Sequence, residues 1–245
     1  MSDNPYHNPG TPATQSTPDT VHGRFIPPNV LCTLATVGLI AHAGLFLCSA
    51  TLDVAGELMF PGFSDPNKPY EAGLEQSIVM TQLGIFIFSV LIYIFNIVIV
   101  CMFMYRANTN VRALGTLGLQ NMPGWCGGYW FIPILNLFKP YQCMKEIYQA
   151  SSMPGGSQWK SATSHPLMGV WWGCWLIGGF ATRAENRMAL NGVDLGSGKL
   201  VLSFAIVFLM STAALSLVVI LRSITSMQSN PQLKPQSHEK FGPIE

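Results

Sequence analysis

The chain has 245 residues; 10% are charged, 49% are hydrophobic and the mean hydropathy is +0.33. Soluble domains carry roughly 25% charged residues, so the charged coat of a cytosolic enzyme is missing, and a wholly disordered chain is excluded by the same composition. A formal charge of +1 gives no footprint for nucleic acid. What remains is an integral membrane protein.

Residues 1–26 are rich in Asn, Pro, Thr and Ser and hold too little apolar surface to repay ordering, so a disordered tail is expected there. A second is expected over 227–245, where Pro231, Pro235 and Pro243 stand among mixed charges. Between them, 27–226 reads as a membrane helical domain. No signal-peptide pattern opens the chain, and its first apolar run is too long for a cleaved core, so that run is read as an uncleaved anchor.

Four uncharged runs are expected to span the bilayer, at about 30–52, 78–104, 166–182 and 200–221. Val30–Leu52 alone would extend ~34 Å as a helix, more than the ~30 Å of a hydrocarbon core. Pro166–Thr182 sits at the lower limit of length. Another segment differs. Trp125–Phe138 is 14 residues long, opens after Pro123-Gly124, carries Pro133 and Asn136, and stops at Lys139-Pro140. Runs of this length signal a re-entrant or interfacial piece more often than a span. The expected fold is therefore all-α: an integral membrane helical bundle of four transmembrane helices plus a short re-entrant or interfacial Pro-kinked helix, with a broken segment over 123–150. The alternative is five transmembrane helices.

Charge placement separates the two. Asp53, Glu57, Asp65, Glu71 and Glu75 face a single Lys68 in the first connection, which should lie outside. If the broken segment does not cross, nine Lys and Arg fall on the side of the termini and four opposite; if it crosses, the count is six against seven. The positive-inside rule favours four spans with both termini cytoplasmic.

Pro133 removes a backbone donor and breaks its helix, and Asn136 is placed to bond the freed carbonyl or a neighbouring helix. Lys139 is near enough to the segment's end to snorkel to headgroups. After Pro140, Tyr141, Met144, Ile147 and Tyr148 share one face, with Gln142, Lys145, Glu146 and Gln149 opposite, the pattern of a helix lying at the interface. One reading of this region is a re-entrant element lining a polar cavity; the plainer one is a structural wedge. The six tryptophans all fall between Trp125 and Trp175. They read as an interfacial belt or as an aromatic groove for a lipid or partner helix, with Trp175 deepest. His42, midway along the first span, is an intramembrane ionisable residue, and Asn96 is its expected partner by depth. Gly169 and Gly173 form a Gly-x-x-x-Gly pattern suited to close helix packing within the chain or to dimerisation. Cys32, Cys48, Cys101, Cys126, Cys143 and Cys174 show no C-x-x-C pair and read as packing residues. Arg183 and Arg187 share a helix face as a headgroup-binding end, and Asn191-Gly192 reads as a turn. Leu195–Leu200 fails the phosphate-loop pattern, because Val193 stands where its first Gly would be and Lys199 is followed by Leu.

The run from Tyr105 to Ser151 is distinctive: Tyr-Arg-Ala-Asn-Thr-Asn-Val-Arg-Ala-Leu-Gly, then Pro123-Gly124-Trp125, Tyr129-Trp130-Phe131-Ile132-Pro133-Ile134, Asn136-Leu137 and Lys139-Pro140-Tyr141-Gln142. This resembles the bacterial membrane family known as domain of unknown function 4328, as does the opening Trp171-Trp172-Gly-Cys-Trp175 of the following run. The likeness covers most of 75–225. Cys126-Gly127-Gly128 departs from it, since larger apolar residues are usual there. The resemblance implies a multi-pass protein of the bacterial cytoplasmic membrane and brings no assigned activity.

The candidate functional motif is thus Pro123, Gly124, Trp125, Trp130, Phe131, Pro133, Asn136, Lys139, Pro140 and Tyr141, with His42 and Asn96 as intramembrane polar residues. No catalytic set, metal site or cofactor site is read: there is no paired carboxylate and no nucleophile motif, and Asp and Glu are absent from every apolar run. The expected function is non-enzymatic binding of a lipid or partner, or an assembly role. The alternative is a small-solute transporter or channel using the broken central helix. Expected partners are membrane lipids and a membrane protein or further copies of the chain, and no nucleic acid.

Overall fold

Long uncharged runs leave each backbone N–H and C=O to be satisfied within its own segment, and helices meet that demand. The computed structural model describes residues 25–60, 62–63, 73–193, 195 and 198–230. Three of its helices, α1 (Asn29–Met59), α2 (Leu74–Ala113) and α6 (Gly198–Gln228), are long and apolar enough to cross a membrane. Two short helices follow α2: α3 (Pro123–Gly128) and α4 (Lys139–Ser152). Then comes α5 (Leu167–Leu190), 24 residues long, with Arg183, Glu185 and Arg187 in its last two turns. Each long helix outruns its expected span, because charge ends a hydrocarbon crossing without ending the helix. The extensions are tied by polar contacts: Gln82 Nε2 donates to Asp53 Oδ1 at 2.8 Å, and Ser203 Oγ to Glu185 Oε1 at 2.8 Å.

The long helices stand in a row. α5 packs on α6, α6 on α1, and α1 on α2, while α2 and α5 at the two ends make no extended contact. Leu83, Phe86, Ile87, Leu91 and Ile94 of α2 are exposed, far more apolar surface than a water-soluble protein presents.

Both ends of the described chain leave from one end of this row. Asn110 Nδ2 donates to Ile26 O at 2.9 Å and to Gln228 Oε1 at 2.9 Å, and Ile26 N donates back to Asn110 Oδ1 at 3.1 Å. Gln228 Nε2 reaches Ala107 O and Ser151 Oγ at 3.1 and 2.9 Å. This corrects both expected domain edges: Ile26 is tied to the bundle, and Gln228, 1% exposed, ends α6 rather than belonging to a tail. Residues 1–24 and 231–245, the rest of the expected tails, lie outside the described residues.

The broken segment starts and finishes at this same end. Gly115 (φ +79°) closes α2 in a Schellman motif, with Thr116 N donating to Val111 O and Gly115 N to Arg112 O. Leu117 N then donates to Gly156 O at 2.8 Å, and Gly156 N to Gly115 O at 3.0 Å. The segment therefore leaves and returns at one place, and its helices of 6 and 14 residues do not run the length of the row.

α4 is packed against α2 and α6, and Cys143, Met144, Glu146, Ile147, Ala150 and Ser151 are all buried, Glu146 included although it belongs to the face expected to be polar. Gly169 and Gly173 face open space, whereas the close approach of α5 to α6 occurs at Gly178, over Met210 and Leu209.

Candidate ligand cleft

Pro123 supplies the first residue of α3, where its missing N–H costs nothing. α3 runs into a 3₁₀ turn at Tyr129–Phe131, the chain breaks around Pro133, and a second 3₁₀ turn at Leu135–Leu137 leads into α4, with Pro140 in its first turn. The carbonyl freed by Pro133 is that of Tyr129, and the main chain meets it: Ile132 N donates to Tyr129 O at 3.4 Å, while Asn136 N donates to Ile132 O at 2.8 Å. The Asn136 side-chain oxygen is buried with no partner.

Indole and thiol groups clamp this broken path to its neighbours. Trp172 Nε1 donates to Leu137 O at 3.0 Å, Trp130 Nε1 to Met104 Sδ at 3.5 Å, Trp159 Nε1 to Leu117 O at 2.8 Å, and Cys101 Sγ to Gly127 O at 3.7 Å. These tryptophans act as brackets within the fold. Trp125 is different: it is 50% exposed and stacks on Tyr129 at 5.4 Å. Lys139 Nζ lies over the Tyr129 ring at 5.5 Å. Cys126 and Cys143 are fully buried, and hydrogen bonding to Cys126 together with burial pushes the Cys143 thiol far above the ordinary range. Among the described residues, no three His, Cys, Asp or Glu come together to hold a metal.

Because α2 and α5 do not meet, a cleft of about 920 Å³ lies between them. α1 forms its back, with His42, Phe46 and Ser49. α2 and α5 form its sides, with Phe86, Ser89 and Tyr93 facing Trp175, Gly179 and Arg183. The broken segment forms its floor with Trp130, Phe131, Pro133 and Asn136. At the opposite end Arg183 donates to Gly179 O at 3.2 Å and lies over the Phe180 ring at 5.7 Å. Arg183 stands eight residues beyond Trp175, ~12 Å along α5.

A smaller chamber of about 70 Å³ opens off the floor end of the cleft; Asn96, Trp171, Leu39 and Leu217 line it, and it shares His42, Phe46, Tyr93, Trp130 and Trp175 with the cleft. Its aromatic wall is continuous. Trp172 stacks on Trp175 at 4.9 Å, and Trp130 meets Trp175 edge-on at 5.4 Å. His42 packs against Phe46 and Tyr93 at 4.9 and 5.8 Å. The expected bond between His42 and Asn96 is not formed: both share the chamber, but neither amide atom of Asn96 has a partner.

Of the candidate residues, the structure gathers His42, Asn96, Trp130, Phe131, Pro133 and Asn136 around the cleft and its chamber. Pro123, Gly124, Trp125, Lys139, Pro140 and Tyr141 shape the segment without lining either space. Ser49, Ser89, Tyr93, Thr182, Arg183, Glu185 and Asn186 add polar groups to the cleft lining and were not singled out as a set. Their signal was spacing: Phe86, Ser89, Tyr93, Asn96 and Val100 recur at three and four residues along one stripe of α2.

A row of long apolar helices with a side cleft floored by a broken hairpin defines a helical membrane protein. Residues 70–228 match the family described as Domain of unknown function (DUF4328), and the chain belongs to it. The match takes in α2 to α6 and leaves out α1, which supplies His42 to the cleft. No curated protein and no solved structure matches the chain.

Proposed function

We propose that this protein is a non-enzymatic, four-span membrane protein that takes an amphiphile sideways from the bilayer into the cleft between α2 and α5. The observation carrying this reading is the cleft itself, set between apolar helices α2 and α5 that do not meet, with mostly apolar walls. α5 serves as the fourth span: its stretch from Leu167 to Thr182 is uncharged, and it runs beside α6. The broken segment is then a re-entrant hairpin at the end holding both termini. Arg106, Arg112 and Arg222 favour the cytoplasm for that end, and the family resemblance favours a bacterial cytoplasmic membrane. Arg183 stands near the opposite headgroup layer.

The transport alternative needs a polar route past the floor, and the packed Trp130, Trp172 and Trp175 rings argue against one. Purification from native membranes in mild detergent, with mass spectrometry of retained lipids and proteins, tests the proposal. The wild type is expected to retain one class of amphiphile, and Ser89→Trp, which fills the cleft, to lose it. A stoichiometric protein retained equally by both would instead favour an assembly role. Solute flux in vesicles, abolished by Asn136→Leu, would overturn the proposal in favour of transport.

A further inference from the structure

The lining of the cleft says which amphiphile it takes; this rests on the cleft reading above. Towards the broken segment the walls are largely aromatic, with Phe46, Trp130, Phe131 and Trp175. Further out, Ser49, Ser89, Thr182, Arg183, Glu185 and Asn186 bring hydroxyl, amide and charged groups to the same space. On α5 this polar end begins at Thr182, about two turns beyond Trp175.

Arg183 is the one Lys or Arg in the lining. Its guanidinium is occupied only within its own helix, by Gly179 O and the Phe180 ring. Among the described residues no carboxylate pairs with it; Glu185, the acid in the lining, accepts from Ser203 Oγ of α6 instead. A guanidinium carries five N–H donors in a planar fork, so most of this fork is free. It also stands close enough to Tyr93 of α2 for its charge to act on that phenol. The two serines are free as well. Thr81 and Thr182 donate to the carbonyl four residues back, a common outcome for a helical hydroxyl. Ser49 and Ser89 make no such bond, and among the described residues they bond nothing else.

Unused donors around one cation, in a mostly apolar cleft, call for an anionic head with oxygen acceptors. A carboxylate accepts two parallel N–H bonds from a guanidinium and keeps lone pairs for hydroxyls. The head belongs at this end, because a charge set against the Trp130 and Trp175 rings would be desolvated without compensation, and the Trp130 indole N–H is already given to Met104. Size limits the tail. The cleft, about 920 Å³, falls within the roughly 300–1,000 Å³ of sites for one small ligand, which suits one chain rather than the two of a phospholipid.

We propose that the cleft binds a fatty acid, a single-chain carboxylate amphiphile, with its carboxylate on Arg183, at the end carrying the Ser49 and Ser89 hydroxyls, and its chain running inward to Trp130 and Trp175.

The test uses the full chain in phosphatidylcholine nanodiscs, in buffer alkaline enough to ionise the acid, with tryptophan fluorescence quenching as the readout. Three probes carry the same brominated chain: dibromostearic acid, its uncharged methyl ester, and a phosphatidylglycerol esterified with it. Gly179→Phe, filling the cleft, gives the background. Arg183→Gln is expected to weaken saturable binding of the acid about tenfold while changing the ester by less than about twofold. Arg183→Lys, which keeps the charge and loses the fork, should fall between. Arg187→Gln, one turn further on and outside the lining, should bind like the wild type. Equal weakening by Arg183→Gln and Arg187→Gln would overturn the site, since the charge would then act from the surface at large. Equal binding of the acid by wild type and Arg183→Gln, above background, would overturn the carboxylate assignment and leave the cleft reading intact. Tighter binding of the phosphatidylglycerol than of the acid, lost in Arg183→Gln, would overturn the single-chain ligand in favour of a phospholipid. Binding of no probe above the Gly179→Phe background would overturn the cleft reading and this inference with it.

Discussion

Glu146 shows how a residue's helical register can mislead about its surroundings. Spacing puts it on the polar side of α4 with Gln142 and Gln149. In the fold it is 6% exposed, and its two carboxylate oxygens accept Gln120 N at 3.0 Å and Asn121 N at 3.1 Å. Asn121 is itself buried, and its carbonyl accepts from Asn108 Nδ2 and Arg112 Nη2 at 3.2 and 2.8 Å. The carboxylate therefore fixes the loop that leads into Pro123. Glu146→Ala leaves the buried Asn121 N–H without an acceptor, a loss of about 1–3 kcal/mol, and should lower the melting temperature in detergent. Glu146→Gln keeps one acceptor oxygen and should cost less. Equal melting of all three would show that the loop is held by other contacts. The sequence hid this role because both partners lie 25 or more residues upstream, whereas the Asn96 amide and the His42 ring were visible as polar groups inside apolar runs.

At the scale of the element, the broken segment was legible as broken, and its means of attachment was not. Pro133 removes a helix donor and the run is short, whatever surrounds them. The brackets that hold it, from Trp172 to Leu137 O and from Trp130 to Met104, join helices whose adjacency depends on the whole fold. Trp172→Phe retains the stack on Trp175 and removes the indole donor, a net loss of about 1 kcal/mol. The expected result is faster amide hydrogen exchange confined to residues 131–138, with α1 and α6 unchanged; uniform acceleration across the protein would mean that Trp172 supports the global fold instead. Helix ends behaved similarly. Asn191-Gly192 was readable as a turn, and Gly192 (φ +67°) does end α5 in a Schellman motif, with Val193 N donating to Met188 O. The true end of α6 at Gln228 was not readable, since it depends on contacts with Asn110, Ala107 and Ser151.

For the whole molecule, the meeting of Ile26 and Gln228 at one place, tied through Asn110, fixes the relative direction of the four long helices. With α5 as the fourth span, alkaline phosphatase fused after Met59 or after Gly192 should be active outside the membrane. Fused after Asn230, it should be inactive, while a fluorescent protein at that point should fold and emit. An active C-terminal phosphatase would reverse the orientation, and an inactive fusion after Gly192 would remove α5 from the spans. The sequence by itself determined that this is a helical membrane protein and marked where its backbone must break, because hydropathy, charge and proline act locally on the chain. Tertiary structure alone decided that α2 and α5 stand apart at the ends of a row, that Trp130 and Trp175 close the space between them, and that Asn96 and His42 share its chamber unpaired. Those facts depend on which helix faces join, and in lipid an apolar face carries little preference for one neighbour over another.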